Sequence, residues 1–259
     1  MSFFKLFPKI EYDFNDDGTP VEITDIFRVA DVATSYLDEF LLYMVIDIQD
    51  GERPDILSTR LYGVPDYYWT FAIINSHLQE GYHKWVLSSE QIRDYVNRYM
   101  QDTVVNCIPS VVVDGDGIIL RHENNIVGRF QEGETVTGLI SGATGTIKSF
   151  NVDLQQILIT NVTGLFQNNE IMTGSITGDR ISIYKSYKMM DAPVEYVDST
   201  GQVQSNALFV PDGVTNANLN PVTYLSKLYS VNDARRSIKV VDPNYIREFV
   251  NNFKAKIRE

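Results

Sequence analysis

Cys107 is the single cysteine of this 259-residue chain, and His77, His83 and His122 are its three histidines. Nucleophilic chemistry needs a base within reach of the nucleophile and a third group to orient that base. Around Cys107 the sequence reads "TVVNCIPS", with no neighbour that would hold a thiolate, which is the pattern of a buried free cysteine. No G-x-S-x-G motif occurs. A structural zinc site needs several Cys or His ligands. His77 and His83 could meet in space, but the aromatic residues around them assign them to packing. The "DGDG" at 114–117 would suit a calcium loop, yet the oxygen ligands that should follow are missing, so it reads as a hairpin turn. Among 34 acidic residues, Glu52 with Asp55 or Asp66 is the pair a glycosidase reading would choose. Solvated acids at helix ends explain these three more simply. The glycines form neither a P-loop nor a strand–GxGxxG–helix unit. The expectation is therefore no catalytic residue, no metal and no cofactor, and the protein is not read as an enzyme.

The residues that stand out are aromatic. Residues 53–78 read "RPDILSTRLYGVPDYYWTFAIINSHL", with Tyr62, Tyr67, Tyr68 and Trp69 within eight positions. Pro54 suits a first helical turn, and Asp55 complements the positive end of that helix. Ile56, Leu57, Leu61 and Tyr62 recur at helical spacing, and Gly63 supplies a C-terminal cap. Pro65 opens a second helix carrying Trp69, Ile73 and Ile74 on one face, and Asn75 ends it. Before this pair, residues 41–48 are rich in β-formers and stop at Asp50-Gly51, which predicts a strand. The part of that apolar run up to Phe40 is expected to be helical. After the pair, "HKWVLS" predicts a short strand, and "SSEQIRDYVNRYM" a further helix with Ser88 or Ser89 as its N-cap.

Past Cys107 the texture becomes β-rich. "FQEGETVTGLISG" at 130–142 aligns with "FQNNEIMTGSITG" at 166–178, offset by 36 residues. Short β-rich runs separated by glycine predict a small all-β module of two related halves. Residues 186–224 read as a long loop-rich stretch. In the tail, "ARRSIKVVD" predicts a strand, and a helix after Pro243 places Tyr245, Ile246, Phe249, Val250 and Phe253 on one face.

Composition narrows the classes. With 44% hydrophobic and 22% charged residues the chain is globular. Its net charge of −12 opposes nonspecific binding to nucleic acid or anionic lipid. Arg235, Arg236 and Lys239 are read as solvated charges beside a strand. The N-terminus lacks the features of a signal peptide, and no apolar run approaches the ~20 residues of a membrane span. The expectation is a soluble product of a cytoplasm, without a nucleic-acid or membrane partner.

The order strand, "DILSTRLYGVPDYYWTFAIIN", then "YHKWVLS" resembles a LysM module, a βααβ fold of about fifty residues in that family. Leu57, Ser58, Tyr62, Gly63, Val64 and Asn75 stand at the matching positions. The aromatic block Tyr67-Tyr68-Trp69 departs from sugar-binding members. More widely, the "I-x-Y" segment, "ITDIFR", "RPDILSTRLYGVPDYYW" and "ARRSIKVVDPNYIREFVNNF" resemble the baseplate wedge family of T-even-like contractile-tailed phages, the gene product 53 wedge protein. That resemblance covers roughly residues 8–100 and 230–255. The β repeat departs from it and reads as an insert.

Taken with the residue pattern, the resemblance leads to the expectation of an α+β chain: an N-terminal segment at 1–39, a LysM-like module with its following helix at 40–106, an inserted β-rich repeat module at 107–187, and a loop-rich segment with the C-terminal strand and helix at 188–259. It implies a structural subunit of the virion's tail baseplate, assembled in the host cytoplasm. Its partners would be other baseplate wedge proteins and neighbouring wedges of a hexameric baseplate, with six or a multiple of six copies per virion. The partner-interface candidates are Tyr12, Phe14, Tyr62, Tyr67, Tyr68, Trp69, Tyr82 and Trp85. Trp69 is assigned first to the core, and Tyr67, Tyr68, Tyr82 and Trp85 are divided between core and partner. The alternative is a peptidoglycan- or glycan-binding module of a tail-associated protein, since aromatic faces stack on sugars.

Overall fold

The computed structural model describes residues 7–14, 18–25, 42–107, 110–113, 119–123, 126, 128–203 and 219–258. The helix expected up to Phe40 and the turn at 114–117 lie outside them. The chain is α+β and divides into two compact units, one of Met1–Glu90 with Val231–Glu259 and the other of Gln91–Ser230.

The first unit begins with an antiparallel pair, β1 (Lys9–Tyr12) and β2 (Val21–Thr24). Strand β3 (Tyr43–Asp47) follows, then α1 (Pro54–Tyr62). Pro54 stands in the first turn of α1, and Gly63 closes it in the left-handed region at φ 73°, donating its N–H to Thr59 O. The single predicted second helix is a 3₁₀ turn (Pro65–Tyr67) running into α2 (Trp69–Ile74). Ser58 fixes this corner: its hydroxyl donates to Val64 O at 2.7 Å and accepts from Tyr67 N–H at 3.2 Å. A short helix α3 (Ser76–Gln79) and a 3₁₀ turn (Tyr82–Lys84) come next, then α4 (Ser89–Tyr99).

"HKWVLS" is not the strand its sequence predicts. Trp85 Nε1–H is bonded to Glu52 O at 2.8 Å, and Leu87 is held by the Asn232 amide, which accepts from its N–H at 2.7 Å and donates to its carbonyl at 3.0 Å. A side-chain amide thus stands where a strand would have stood. The partner of β3 comes from far along the chain. It is β14 (Ser237–Val241), antiparallel, with Tyr43 opposite Val241 and Asp47 opposite Ser237.

Asn75 joins this strand to the end of α2. Its side chain donates to Lys239 O at 2.8 Å and accepts from Lys239 N–H at 2.9 Å, extending the ladder by one amide. Asn75→Ala is expected to cost about 1–3 kcal/mol, because it removes a buried amide that pairs the N–H and carbonyl of Lys239 on β14. Guanidinium denaturation followed by tryptophan fluorescence reads this directly, since Trp69 and Trp85 are the chain's only tryptophans.

Two cores fill the unit. One packs Ile48, Leu57, Phe71, Leu78, Trp85 and Val86 against Ile238 and Val240 of β14. The other packs Trp69, Ile74 and Val241 against the last helix. That helix follows β14 and runs Ile246–Arg258, and its Ile246, Phe249, Val250, Phe253 and Ile257 recur at helical spacing. Tyr245 does not share this face. It precedes the helix and is 42% exposed.

The second unit is built on β4 (Thr103–Cys107), the hairpin β5 (Ser110–Val113) and β6 (Ile119–Glu123), then β7 (Thr135–Gly138), β8 (Thr144–Asn151), β9 (Gln156–Thr163), β10 (Ile171–Gly174) and β11 (Arg180–Lys188). Six of these close a barrel in the order β7–β8–β9–β4–β11–β10. The described residues of the stretch expected to be one long loop hold a 3₁₀ turn (Met189–Asp191) and two paired strands, β12 (Pro193–Val197) and β13 (Asn220–Thr223); α5 (Tyr224–Ala234) follows.

The 36-residue repeat appears in the barrel as an approximate two-fold. Strands β7 and β10 pair about Thr137 opposite Thr173, which are equivalent in the repeat. Strands β8 and β11 carry the same register shift, between Ile147 and Ser149 in one and Ile183 and Lys185 in the other. Strand β4 then takes the place in the second half that β9 takes in the first. The two pair about Val105 opposite Ile157. The second half is thus completed by a strand that precedes both repeats in sequence. Equivalent side chains meet in the core: Phe130 and Phe166, Val136 and Met172, Ile147 and Ile183.

Candidate functional site

Tyr62, Tyr67, Tyr68, Tyr82 and Trp85 form one connected group around α1 and α2. Tyr67 meets Tyr62 edge-on at 5.8 Å, Tyr62 stacks near Phe71 at 6.2 Å, and Phe71 meets Trp85 at 6.2 Å. Tyr82 lies 6.1 Å from Trp85 and 5.9 Å from Tyr68, and its hydroxyl donates to Tyr68 O at 2.8 Å. Trp69 belongs to the other core, 4.7 Å from Phe253.

Burial sorts them. Trp69 and Trp85 are buried, Tyr62, Tyr67 and Tyr68 are half-buried, and Tyr82 is exposed. Tyr12 and Phe14 are exposed and pair edge-on at 4.9 Å at the end of β1. Rings fixed from behind by a core and open in front are contact surface at low entropic cost. Beside them the C-terminal end of α1 and the turn after β14 enclose a cleft of about 370 Å³, lined by Tyr62, Val64, Tyr67, Asn244 and Arg247 among others.

Two of these tyrosines, Tyr62 and Tyr82, are held in their neutral form. Burial pushes the Tyr62 hydroxyl well above its ordinary pKa, against hydrogen bonds to Thr70 and Val241 that pull it down. Burial likewise raises Tyr82, with the neighbouring Tyr68 adding to it.

The groups singled out for chemistry are occupied structurally. Burial raises the Cys107 thiol far from thiolate range, inside the barrel core. Glu52 accepts from Gln49 N–H and from Arg60 at 2.7 Å. Burial would raise its pKa, but the bonds from Arg60 and Gln49 outweigh that and leave it below the ordinary value. Asp55 is paired with Arg53 at 2.6 Å. Burial and the charge of Arg235 lower the pKa of His77. Among the described residues no group of three or more His, Cys, Asp or Glu could hold a metal ion, and no helix is long and apolar enough to cross a membrane.

The barrel holds two residues that sequence reasoning passed over. Glu134 and Glu170, equivalent in the repeat, are fully buried. Each closes its own turn and the turn of the opposite half. Glu134 accepts from Gln131 N–H, then from Ile176 N–H, Thr177 N–H and the Thr177 hydroxyl at 2.8–2.9 Å. Glu170 accepts from Gln167 N–H, then from Ile140 N–H, Ser141 N–H and the Ser141 hydroxyl. Gly138 and Gly174 make room for them: a Cβ on Gly138 would lie 2.6 Å from Glu170, and one on Gly174 would collide with Glu134. The signal was available, since Glu and Gly recur at the same place in both copies.

Residues 2–114 match the family described as base plate wedge protein 53. No curated protein matches the chain.

Proposed function

We propose that the chain, whose residues 2–114 match the base plate wedge protein 53 family, acts in a phage tail baseplate as a joint between wedges. The family supports a structural role in the virion's baseplate, in association with other baseplate components. The finer reading is that the first unit is a LysM-like module that joins neighbouring wedges of a contractile tail by protein contact alone. Its strand–helix–helix–strand order, with β14 as last strand, supports the module. A ring of six such joints needs two different surfaces on each subunit. Tyr12 with Phe14 on the β1–β2 arm, and Tyr67, Tyr68 and Tyr82 beside the cleft, are the two candidates. Trp69 and Trp85 serve these surfaces from the core, by holding the backbone that presents them.

The observation that carries this reading is that the matched segment, residues 2–114, takes in residues 2–90 of the first unit, which presents exposed and half-buried aromatics. The test is assembly of the purified chain with the other wedge proteins of its own phage, followed by size-exclusion chromatography. A Tyr12→Ala/Phe14→Ala variant is expected to weaken that complex about thirty-fold, the loss typical of an interface hot spot, with melting unchanged. Full assembly by this variant and by Tyr67→Ala would overturn the reading. Retention of the chain on purified peptidoglycan instead would favour a glycan-binding module.

A further inference from the structure

Strands β3 and β14 form a sheet of two, so each turns one edge outward. Asp242 N–H donates to Leu42 O, and Ile48 N–H donates to Arg236 O, both at 2.9 Å. The even-numbered residues of the two strands therefore hold the ladder, which runs between these bonds with no register shift. The backbone groups of Tyr43, Val45 and Asp47 point away from β14, and those of Ser237, Lys239 and Val241 point away from β3.

The two edges differ. On β14, the Asn75 amide takes both groups of Lys239, and the Tyr62 hydroxyl donates to Val241 O at 3.0 Å. On β3, no group among the described residues bonds the N–H or the carbonyl of Val45, or the N–H of Asp47. Arg60 reaches the Asp47 carbonyl, at 3.5 Å. Val45 is 65% exposed. Edges open to solvent are ordinarily shielded by charges, proline or a bulge. Strands β1 and β2 carry Lys9, Glu11 and Glu22, and β12 and β13 contain Pro193 and Pro221. Strand β3 reads "YMVID", with no lysine or proline and a single acid at its last position.

Unpaired N–H and C=O groups at a two-residue spacing are complementary to one kind of partner, an extended backbone. We propose that β3 receives a strand from another baseplate component, which enlarges the β14–β3 sheet to three strands. This rests on the baseplate reading above. Val45 stands opposite Lys239 on the exposed face, so the incoming strand presents uncharged or acidic side chains there and not basic ones.

Amide hydrogen exchange, read by NMR on the full chain alone and in complex with the other wedge proteins of its own phage, tests this. In the chain alone, the Met44 and Ile46 amides are expected to be protected and those of Val45 and Asp47 to exchange freely. In the complex, the Val45 and Asp47 amides are expected to slow at least about tenfold. Val45→Pro removes an outward N–H and leaves the ladder to β14 whole, so it should weaken the complex at least about tenfold. Val45→Ala keeps both backbone groups and should bind within about threefold of wild type. A complex in which Val45 and Asp47 still exchange freely overturns the proposal and leaves the baseplate reading standing, and full binding by Val45→Pro does the same. Slowing of these amides in the chain alone as its concentration rises also overturns it, because a second copy would then hold the edge. If no wedge protein binds the chain, the baseplate reading and this proposal fall together.

Discussion

Glu134→Ala is expected to destabilise the barrel by about 3–5 kcal/mol. The carboxylate is fully buried and accepts from three backbone N–H groups and one hydroxyl. Removing it leaves those donors inside the protein, and each orphaned donor costs about 1–3 kcal/mol, reduced where water enters the vacated space. Glu170→Ala should cost about the same, because its bonds repeat those of Glu134 around the two-fold. Guanidinium denaturation followed by far-UV circular dichroism measures both losses, and an unshifted midpoint would show the carboxylates to be dispensable.

The same geometry sets a pH dependence. Burial pushes both carboxyl groups upward, but the converging N–H and hydroxyl donors outweigh it, so both lie below the ordinary glutamate pKa. A group whose pKa is lower folded than unfolded stabilises the fold above its unfolded value, about 4.3. That contribution is lost as pH falls from there through the folded value. The barrel should therefore weaken below about pH 4, and the Glu134→Ala/Glu170→Ala variant should show a flatter acid limb than wild type.

Trp69→Ala is expected to cost the first unit about 3–5 kcal/mol, the range for truncating a core aromatic. The ring is buried and packed on Phe253, in the cluster that binds the last helix to α2 and Val241. Removing it opens a cavity between two elements that are distant in sequence. Fluorescence of the remaining Trp85, itself in the neighbouring core, reports the shift in midpoint. If the midpoint stayed put while complexes with wedge proteins failed, the ring would belong to the contact surface.

Local signals in the sequence were read well. The proline, glycine and asparagine that punctuate residues 54–75 define α1, its cap and α2, because helix starts and stops are set by neighbours a few residues away. The repeat was legible for the same reason, as a pattern compared with itself. Pairings between distant segments were not. "HKWVLS" has the composition of a strand, yet the place beside β3 is taken by β14, and the amide of Asn232 occupies Leu87. Nothing within a local window distinguishes those outcomes. Likewise β4 shows no similarity that would assign it to the second half of the barrel. Its membership appears only in the register with β9 and β11. In the aromatic group, the buried role first assigned to Trp69 agrees with its packing on Phe253. Which of the tyrosines lie open could not be read from their types, since tyrosine serves core and surface alike.

The pairing of β3 with β14 also fixes an order of events during synthesis. Every strand of the barrel has left the ribosome once residue 188 is out, whereas Ser237–Val241 follows only about fifty residues later. Until then Leu57 and Phe71 lack Ile238 and Val240, the neighbours that complete their cluster. The barrel is thus able to close on the nascent chain while the segment carrying the family's pattern waits for its last strand, exposed to chaperones and to premature association.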